Sequence, residues 1–248
     1  MESYAALYRI YDAVMSDVDH IKWTDYMIAI FNKNGVGKGA EVFEAACGTG
    51  NITVPLKKAG YDITAADISG EMLEIAVQKA RGSGLVIPFV RQDMREAQTH
   101  RPVDAVICCC DGVNYLTDRA GLIAFFRHAH RMLRTGGLFT FDIVTAYRFA
   151  HIIGNKTFYD ISDDRAYVWQ NAFDPESGVL TMDITLFIRE NEHFIRFDEI
   201  HRQRAWTQPE IVKALSDTGF RDISAYAFQT FILQKEDTQR IQFVAIKA

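Results

Sequence analysis

At the start of the chain the apolar positions recur at helical spacing; further on they gather into short runs separated by amphipathic stretches. Tyr4, Leu7, Tyr8, Tyr11 and Val14 recur at helical spacing (i, i+3, i+4, i+7), and a second apolar set runs from Ile21 to Phe31, so residues 4–33 read as helical. Asn34-Gly35 and Gly37-Lys38-Gly39 end that segment. An alternation follows, with strands expected at 41–45, 62–66, 87–91, 103–109 and 138–143 and helices at 50–59, 70–81 and 119–133. Strands and helices in turn, joined by short connections, predict a parallel sheet with helices on both faces, a doubly wound α/β fold.

The pattern changes after Thr145. Stretches 159–161, 166–173, 179–189 and 193–204 alternate with period two and carry no helix between them, so they predict an antiparallel sheet. Asp174-Pro175-Glu176-Ser177-Gly178 has the composition of a hairpin turn. Helical signals return with Thr207 as N-cap, Pro209 and Glu210 in the first turn and Gly219 as the stop, before strands at 221–228 and 239–246. Four units are expected: an N-terminal helical segment at 1–34, an α/β core at 35–145, an inserted β subdomain at 146–205, and a return to the core at 206–248.

Composition narrows the function classes. The chain has 248 residues, 48% of them hydrophobic and 24% charged, which is ordinary for a globular protein. Its formal charge of −5 disfavours a broad phosphate-backbone footprint, so nucleic acid is not the expected partner. No apolar run approaches the roughly 20 residues of a membrane helix, and the N-terminus lacks a signal-peptide layout. Cys108, Cys109 and Cys110 are consecutive and Cys47 stands apart, a poor disulfide or metal framework. Buried free thiols in a reducing cytoplasm are the expectation, with no metal.

The chemistry concentrates where the first strand opens into Cys47-Gly48-Thr49-Gly50-Asn51, with Asp67 at the end of the next strand. A glycine-rich turn after a strand lets backbone approach a ligand, and an acid at the next strand's end can accept two ribose hydroxyls. The dinucleotide fingerprint wants a third glycine where this chain has Thr53, and the P-loop Lys-Ser/Thr pair is missing. A nucleoside ligand without phosphates fits better.

Glu44-Ala45-Ala46-Cys47-Gly48-Thr49-Gly50 resembles the glycine-rich motif of class I S-adenosylmethionine-dependent methyltransferases. Asp67-Ile68-Ser69 with Met72-Leu73 resembles that family's acidic motif, Gln92-Asp93-Met94 its adenine motif, and Leu133 to Phe139 its turn into the fifth strand. The resemblance implies a Rossmann-like doubly wound seven-stranded sheet, an N-terminal helical lid and the inserted antiparallel β subdomain. It implies S-adenosyl-L-methionine as cofactor and S-adenosyl-L-homocysteine as product. It further implies Asp67 on the ribose, Asp93 and the Met94 amide on the adenine, Gly48, Thr49 and Gly50 against the methionine part and ribose, and carbonyls near Ala46 and Cys110 on the amino group. Ile68, Met72 and Asp111 complete the cofactor set, and Tyr11 and Trp23 are carried over as lid residues over its methionine end.

For the acceptor, Asn114 and Tyr115 follow the fourth strand, and Tyr147 lies beyond the fifth. On the strand ending in Glu199-Ile200-His201-Arg202-Gln203, period two puts Glu199, His201 and Gln203 on one face. His201 with Glu199 is the candidate base and Gln203 a candidate substrate contact; Glu-x-His-x-Gln-Arg-Ala-Trp resembles an element of small-molecule methyltransferases with this insertion. The expected reaction is in-line methyl transfer to N or O of a small polar molecule, by a monomer or a homodimer, without a membrane. Three other readings stay open: a protein or RNA acceptor, an NAD(P)-dependent oxidoreductase, and a non-catalytic cofactor-binding module.

Overall fold

The computed structural model describes residues 6–248, so Tyr4 lies outside the described residues. The segment read as one helix is broken. A 3-10 turn at Leu7–Arg9 and α1 (Tyr11–Val14) are separated by a polar stretch from α2 (His20–Lys33), which begins anew because Asp19 accepts from Lys22 N at 2.9 Å.

Seven strands form the main sheet: β1 (Glu41–Ala45), β2 (Asp62–Asp67), β3 (Phe89–Arg91), β4 (Val103–Cys108), β5 (Leu133–Val144), β10 (Phe220–Ala227) and β11 (Arg240–Lys247). Their order is β10-β11-β5-β4-β1-β2-β3, with β11 antiparallel to both neighbours. β3 is shorter than its pattern because Pro88 precedes it; the Pro88 carbonyl still accepts from Ala65 N at 3.0 Å.

Alternation along the strands feeds two cores. Phe43, Val106, Phe139, Phe141 and Phe243 pack against α5 (Arg119–Met132) and α6 (Gln208–Asp217). Val42, Ile63, Ala105 and Ile107 pack on the other face against α2, α3 (Thr53–Lys58) and α4 (Gly70–Gly82). Thr207 caps α6 through a complete capping box with Glu210.

After β5 and a π-helical turn at Arg148–Ile153, the chain forms a four-stranded antiparallel sheet from β6 (Thr157–Ile161), β7 (Arg165–Asp174), β8 (Val179–Glu190) and β9 (His193–Arg204). Leu180, Met182, Ile184 and Leu186 make the inner face of β8. Ala6, Leu7 and Ile10 pack there, with Tyr11 and Val14 beside them. The start of the chain therefore docks on the second sheet, while α2 docks on the first.

Candidate active site

Strand order reverses between β1 and β4, so a crevice opens beyond their carboxyl ends. The chain leaves β1 through Ala46 and Gly48, both at φ 53°. A Cβ on Gly48 would meet no heavy atom within 4 Å, so bare backbone faces the cavity there. Gly50 behaves differently: a Cβ would sit 3.2 Å from that of Ala76, so its role is packing on α4 and it does not line the cavity. Thr53, standing where a third glycine was sought, is fully buried and donates to Glu44 Oε2 at 2.6 Å.

The cavity measures about 330 Å³ and is lined by Tyr11, Ala46, Gly48, Thr49, Asp67, Ile68, Met72, Met94 and Cys110 of the expected cofactor set, with Tyr115. At its floor Asp67 accepts from Gly48 N at 2.8 Å and from Ser69 N at 2.9 Å. Each oxygen keeps acceptor capacity for a ligand hydroxyl. Burial raises the Asp67 carboxyl above its ordinary range, opposed by those backbone donors. Burial also pushes the Glu44 carboxyl up to about 8 against the Thr53 bond. A second cavity of about 230 Å³ shares Ala46, Asp67, Ile68, Met94 and Tyr115 and adds Gln92 and Asp93. Here Asp93 is turned onto Arg95, whose Nε lies 2.9 Å from Oδ2. No lysine or arginine is among the described residues lining the larger cavity. An acceptor-only carboxylate, bare backbone and apolar walls form the donor set of a nucleoside without phosphates, which fits S-adenosylmethionine.

A third cavity, about 150 Å³, shares Tyr11, Cys110 and Tyr115 with the first. Its walls include Leu7, Phe149, Trp169 and Met182, and its polar groups are Asp111, Arg148, Gln203 and Arg240. Asp111, a candidate for cofactor or acceptor contact, lines this cavity and not the larger one, because its left-handed backbone (φ 55°) turns it toward β9 and β11. Its oxygens accept from Gln203 Nε2 at 2.7 Å and Arg240 Nη2 at 2.8 Å. Arg240 also pairs with buried Asp142, lies over the Trp23 ring at 5.1 Å, and is raised by Asp111 and Asp142 despite burial. Burial pushes Asp142 up to about 6, with Arg240 opposing.

Several expected contacts do not reach these cavities. Trp23 is buried against Phe228, with ring centroids 4.4 Å apart, and backs Arg240 from the far side. Asn114 is a clamp: it accepts from Val144 N at 2.9 Å and donates to the carbonyls of Val144 and Arg204 at 2.9 and 2.8 Å, tying β5 to β9. Tyr147 packs on His151. His201 and Glu199 are each 1% exposed and line none of the three cavities. The shared face of β9 is the inner one, and the start of the chain covers it. Glu199 accepts from the Ala6 and Leu7 amides and lies 2.8 Å from His201 Nε2, while His201 Nδ1 lies 3.2 Å from the Tyr115 hydroxyl. A carboxylate only accepts, so Nε2 carries a proton and donates to Glu199. Through His201 the pair touches Tyr115, which does line the cavities.

Sequence reasoning also missed a polar clasp at the rim. Lys79 Nζ meets Asp12 Oδ2 at 2.6 Å, Asn51 Oδ1 at 2.6 Å and Thr49 Oγ1 at 2.9 Å, while Thr49 donates to Asp12 Oδ1 at 2.7 Å. Asp12 and Lys79 stand one helical turn or less from Tyr11 and Ala76, but nothing in their local pattern singles them out. Arg148 and Arg240 were missed for the same reason.

A doubly wound sheet in this order, with a phosphate-free nucleoside cleft at its switch point, defines the S-adenosylmethionine-dependent methyltransferases. The methyltransferase-domain family matches residues 42–137. A Bacillus subtilis (strain 168) protein provisionally named methyltransferase YqeM is 31% identical over 246 residues, 99% of this chain and 97% of its own. An S-adenosylmethionine-dependent methyltransferase from Clostridium acetobutylicum ATCC 824 superposes over 100% of both chains with a TM-score of 0.87 and 31% identity. The sugar N-methyltransferase KedS8 from Streptoalloteichus sp ATCC 53650 shares the fold at a TM-score of 0.80 and 18% identity, over 100% of this chain and 95% of its own. The chain belongs to the S-adenosylmethionine-dependent methyltransferase family, and its cofactor is S-adenosylmethionine.

Proposed function

We propose that this enzyme methylates N or O of a small polar molecule held in the 150 Å³ cavity. The observation carrying this reading is the shared wall: Tyr11, Cys110 and Tyr115 face the cofactor cavity on one side and the smaller cavity on the other. Bound S-adenosylmethionine supplies an activated methyl group. Asp67 would hold its ribose, Asp93 and the Met94 amide its adenine, and Glu44 and the Gly48 turn its methionine end. The chain's own work is orientation and exclusion of water. Residues 6–34 serve as a lid, with Tyr11 over the junction of the two cavities. Tyr115, held by His201 and Glu199, presents a fixed hydroxyl there, and Gln203 holds the Asp111 carboxylate in the acceptor cavity. The cavity has the size and mixed polar and apolar lining that suit a small polar molecule, and KedS8, a sugar N-methyltransferase, has the same fold. The described cysteines are free, which supports action in a reducing cytoplasm.

The test is calorimetric titration with S-adenosylmethionine, S-adenosylhomocysteine and NADH, followed by an acceptor screen that reads S-adenosylhomocysteine formation. Micromolar binding of the first two ligands, and turnover of small amines or hydroxy compounds, is expected. Turnover confined to RNA or protein would overturn the acceptor reading.

A further inference from the structure

The acceptor cavity holds two arginines with different commitments. Arg240 is spent inside the protein: its guanidinium pairs with Asp142 and Asp111 and stacks over Trp23. Arg148 is not. It opens the π-helical turn after β5 and lines the same cavity. Among the described residues its side chain has one hydrogen bond, from Nη1 to the neutral Gln239 Oε1 at 2.8 Å, and no ion pair. Burial and the nearby Arg240 charge both work against its protonated form, with Asp111 and Asp17 opposing. Asp111 offers that compensation only at a distance: its oxygens bond Arg240 and Gln203, and among the described residues it makes no ion pair with Arg148.

A guanidinium keeps five donors in a planar fork shaped for an oxyanion. Most of that fork is unused here, beside apolar walls made by Phe149, Trp169 and Met182. Holding a cation in such a place is costly unless the ligand brings the opposite charge.

We propose that the methyl acceptor is a small oxyanion-bearing amine or alcohol, whose carboxylate or phosphate is paired by Arg148. Its apolar body would rest on Phe149 and Trp169, and its nucleophilic atom would face the wall formed by Tyr11, Cys110 and Tyr115. This inference rests on the methyl-acceptor reading above and adds the charge of the ligand to it.

The test uses the whole protein saturated with S-adenosylhomocysteine. Lactate, alanine and O-phosphoethanolamine are titrated calorimetrically beside their uncharged-end counterparts lactamide, alaninamide and ethanolamine. At least one oxyanion should bind about tenfold to a hundredfold more tightly than its counterpart, the range of a charge-assisted bidentate contact. Preference for lactate or alanine assigns a carboxylate, and preference for O-phosphoethanolamine a phosphate. R148Q should erase the preference and R148K should keep part of it, both with unchanged S-adenosylhomocysteine affinity. Counterparts binding as well as the oxyanions, no oxyanion binding at all, or a preference that survives in R148Q would each overturn the proposal. Failure of the wild-type protein to bind S-adenosylhomocysteine would instead bring down the underlying reading, and is seen before any oxyanion is added.

Discussion

Replacing Glu199 by Gln probes the joint between the start of the chain and the second sheet. The residue is 1% exposed, and among the described residues its carboxylate accepts from the amides of Ala6 and Leu7 on Oε1 and from the His201 ring on Oε2. Burial raises its pKa, but His201, Ala6 and Leu7 outweigh burial and hold it below the usual range. Gln is nearly isosteric and its carbonyl oxygen can keep both amides. Each of those bonds then loses charge assistance, about 1 kcal/mol apiece. The amide nitrogen confronts the His201 N–H, so the hydrogen bond from His201 to this side chain is lost in its present form. The sum is roughly 2–4 kcal/mol, read as the urea-unfolding difference at pH 7, with faster amide exchange over residues 6–15. The sign with pH follows from the depressed pKa. The wild-type advantage is full above the unfolded carboxylate pKa and disappears as pH falls through the folded one, because the protonated acid then resembles the amide. A difference below about 0.5 kcal/mol at pH 7 would refute the claim that this carboxylate anchors the lid.

Three further outcomes are expected. Asp67→Ala should weaken S-adenosylhomocysteine binding by about 2–3 kcal/mol, roughly 30- to 150-fold, in calorimetry; unchanged affinity would remove the ribose assignment. Glu44→Gln should flatten a pH dependence: with the folded pKa raised from 4.5 to about 8, the wild-type advantage of the neutral acid is present below the unfolded pKa and is lost as pH rises through 8. That slope is worth roughly 3–5 kcal/mol, and unfolding curves of the two proteins that run parallel from pH 4.5 to pH 8.5 would contradict it. Asp12→Ala opens the half-exposed clasp to Lys79, Thr49 and Asn51, worth about 0.5–1 kcal/mol after solvent screening. Stopped-flow dissociation of S-adenosylhomocysteine should quicken about two- to fivefold, and an unchanged rate would mean that the clasp does not hold the lid.

The parallel core was legible because its signals are local. Short apolar runs, the Gly48 turn, Asp67 at a strand end and the Thr207 N-cap with Glu210 in the first turn each declare themselves within a few residues. The same locality misled at the acceptor side. Alternation does put Glu199, His201 and Gln203 on one face of β9, but it cannot say what covers that face. The cover is Ala6 and Leu7, more than 190 residues away, and it turns an expected base into a buried support. Asn114 was read as a ligand contact because it follows the fourth strand; its amide is instead consumed by the backbones of β5 and β9. Arg240 enters the site only through the pairing of β11 with β5, which sets it opposite Val144.

The backbone at the junction of the two cavities explains why those long-range pairings are needed. Cys110 and Asp111 are consecutive left-handed residues, φ 59° and 55°, and neither is glycine. Each such residue costs of order 1 kcal/mol or more, so the turn persists only where surrounding contacts over-determine it. Those contacts are identifiable: Asp111 N donates to Asp142 Oδ2 at 3.0 Å, Arg240 bridges both carboxylates, and Gln203 takes the remaining Asp111 oxygen. Glycine at 110 and 111 would adopt the same turn without strain, but it would remove the Asp111 carboxylate from the smaller cavity and the Cys110 side chain from the shared wall. The strain is thus the cost of placing side chains on the wall shared by the two cavities, and β5, β9 and β11 converge there to hold them.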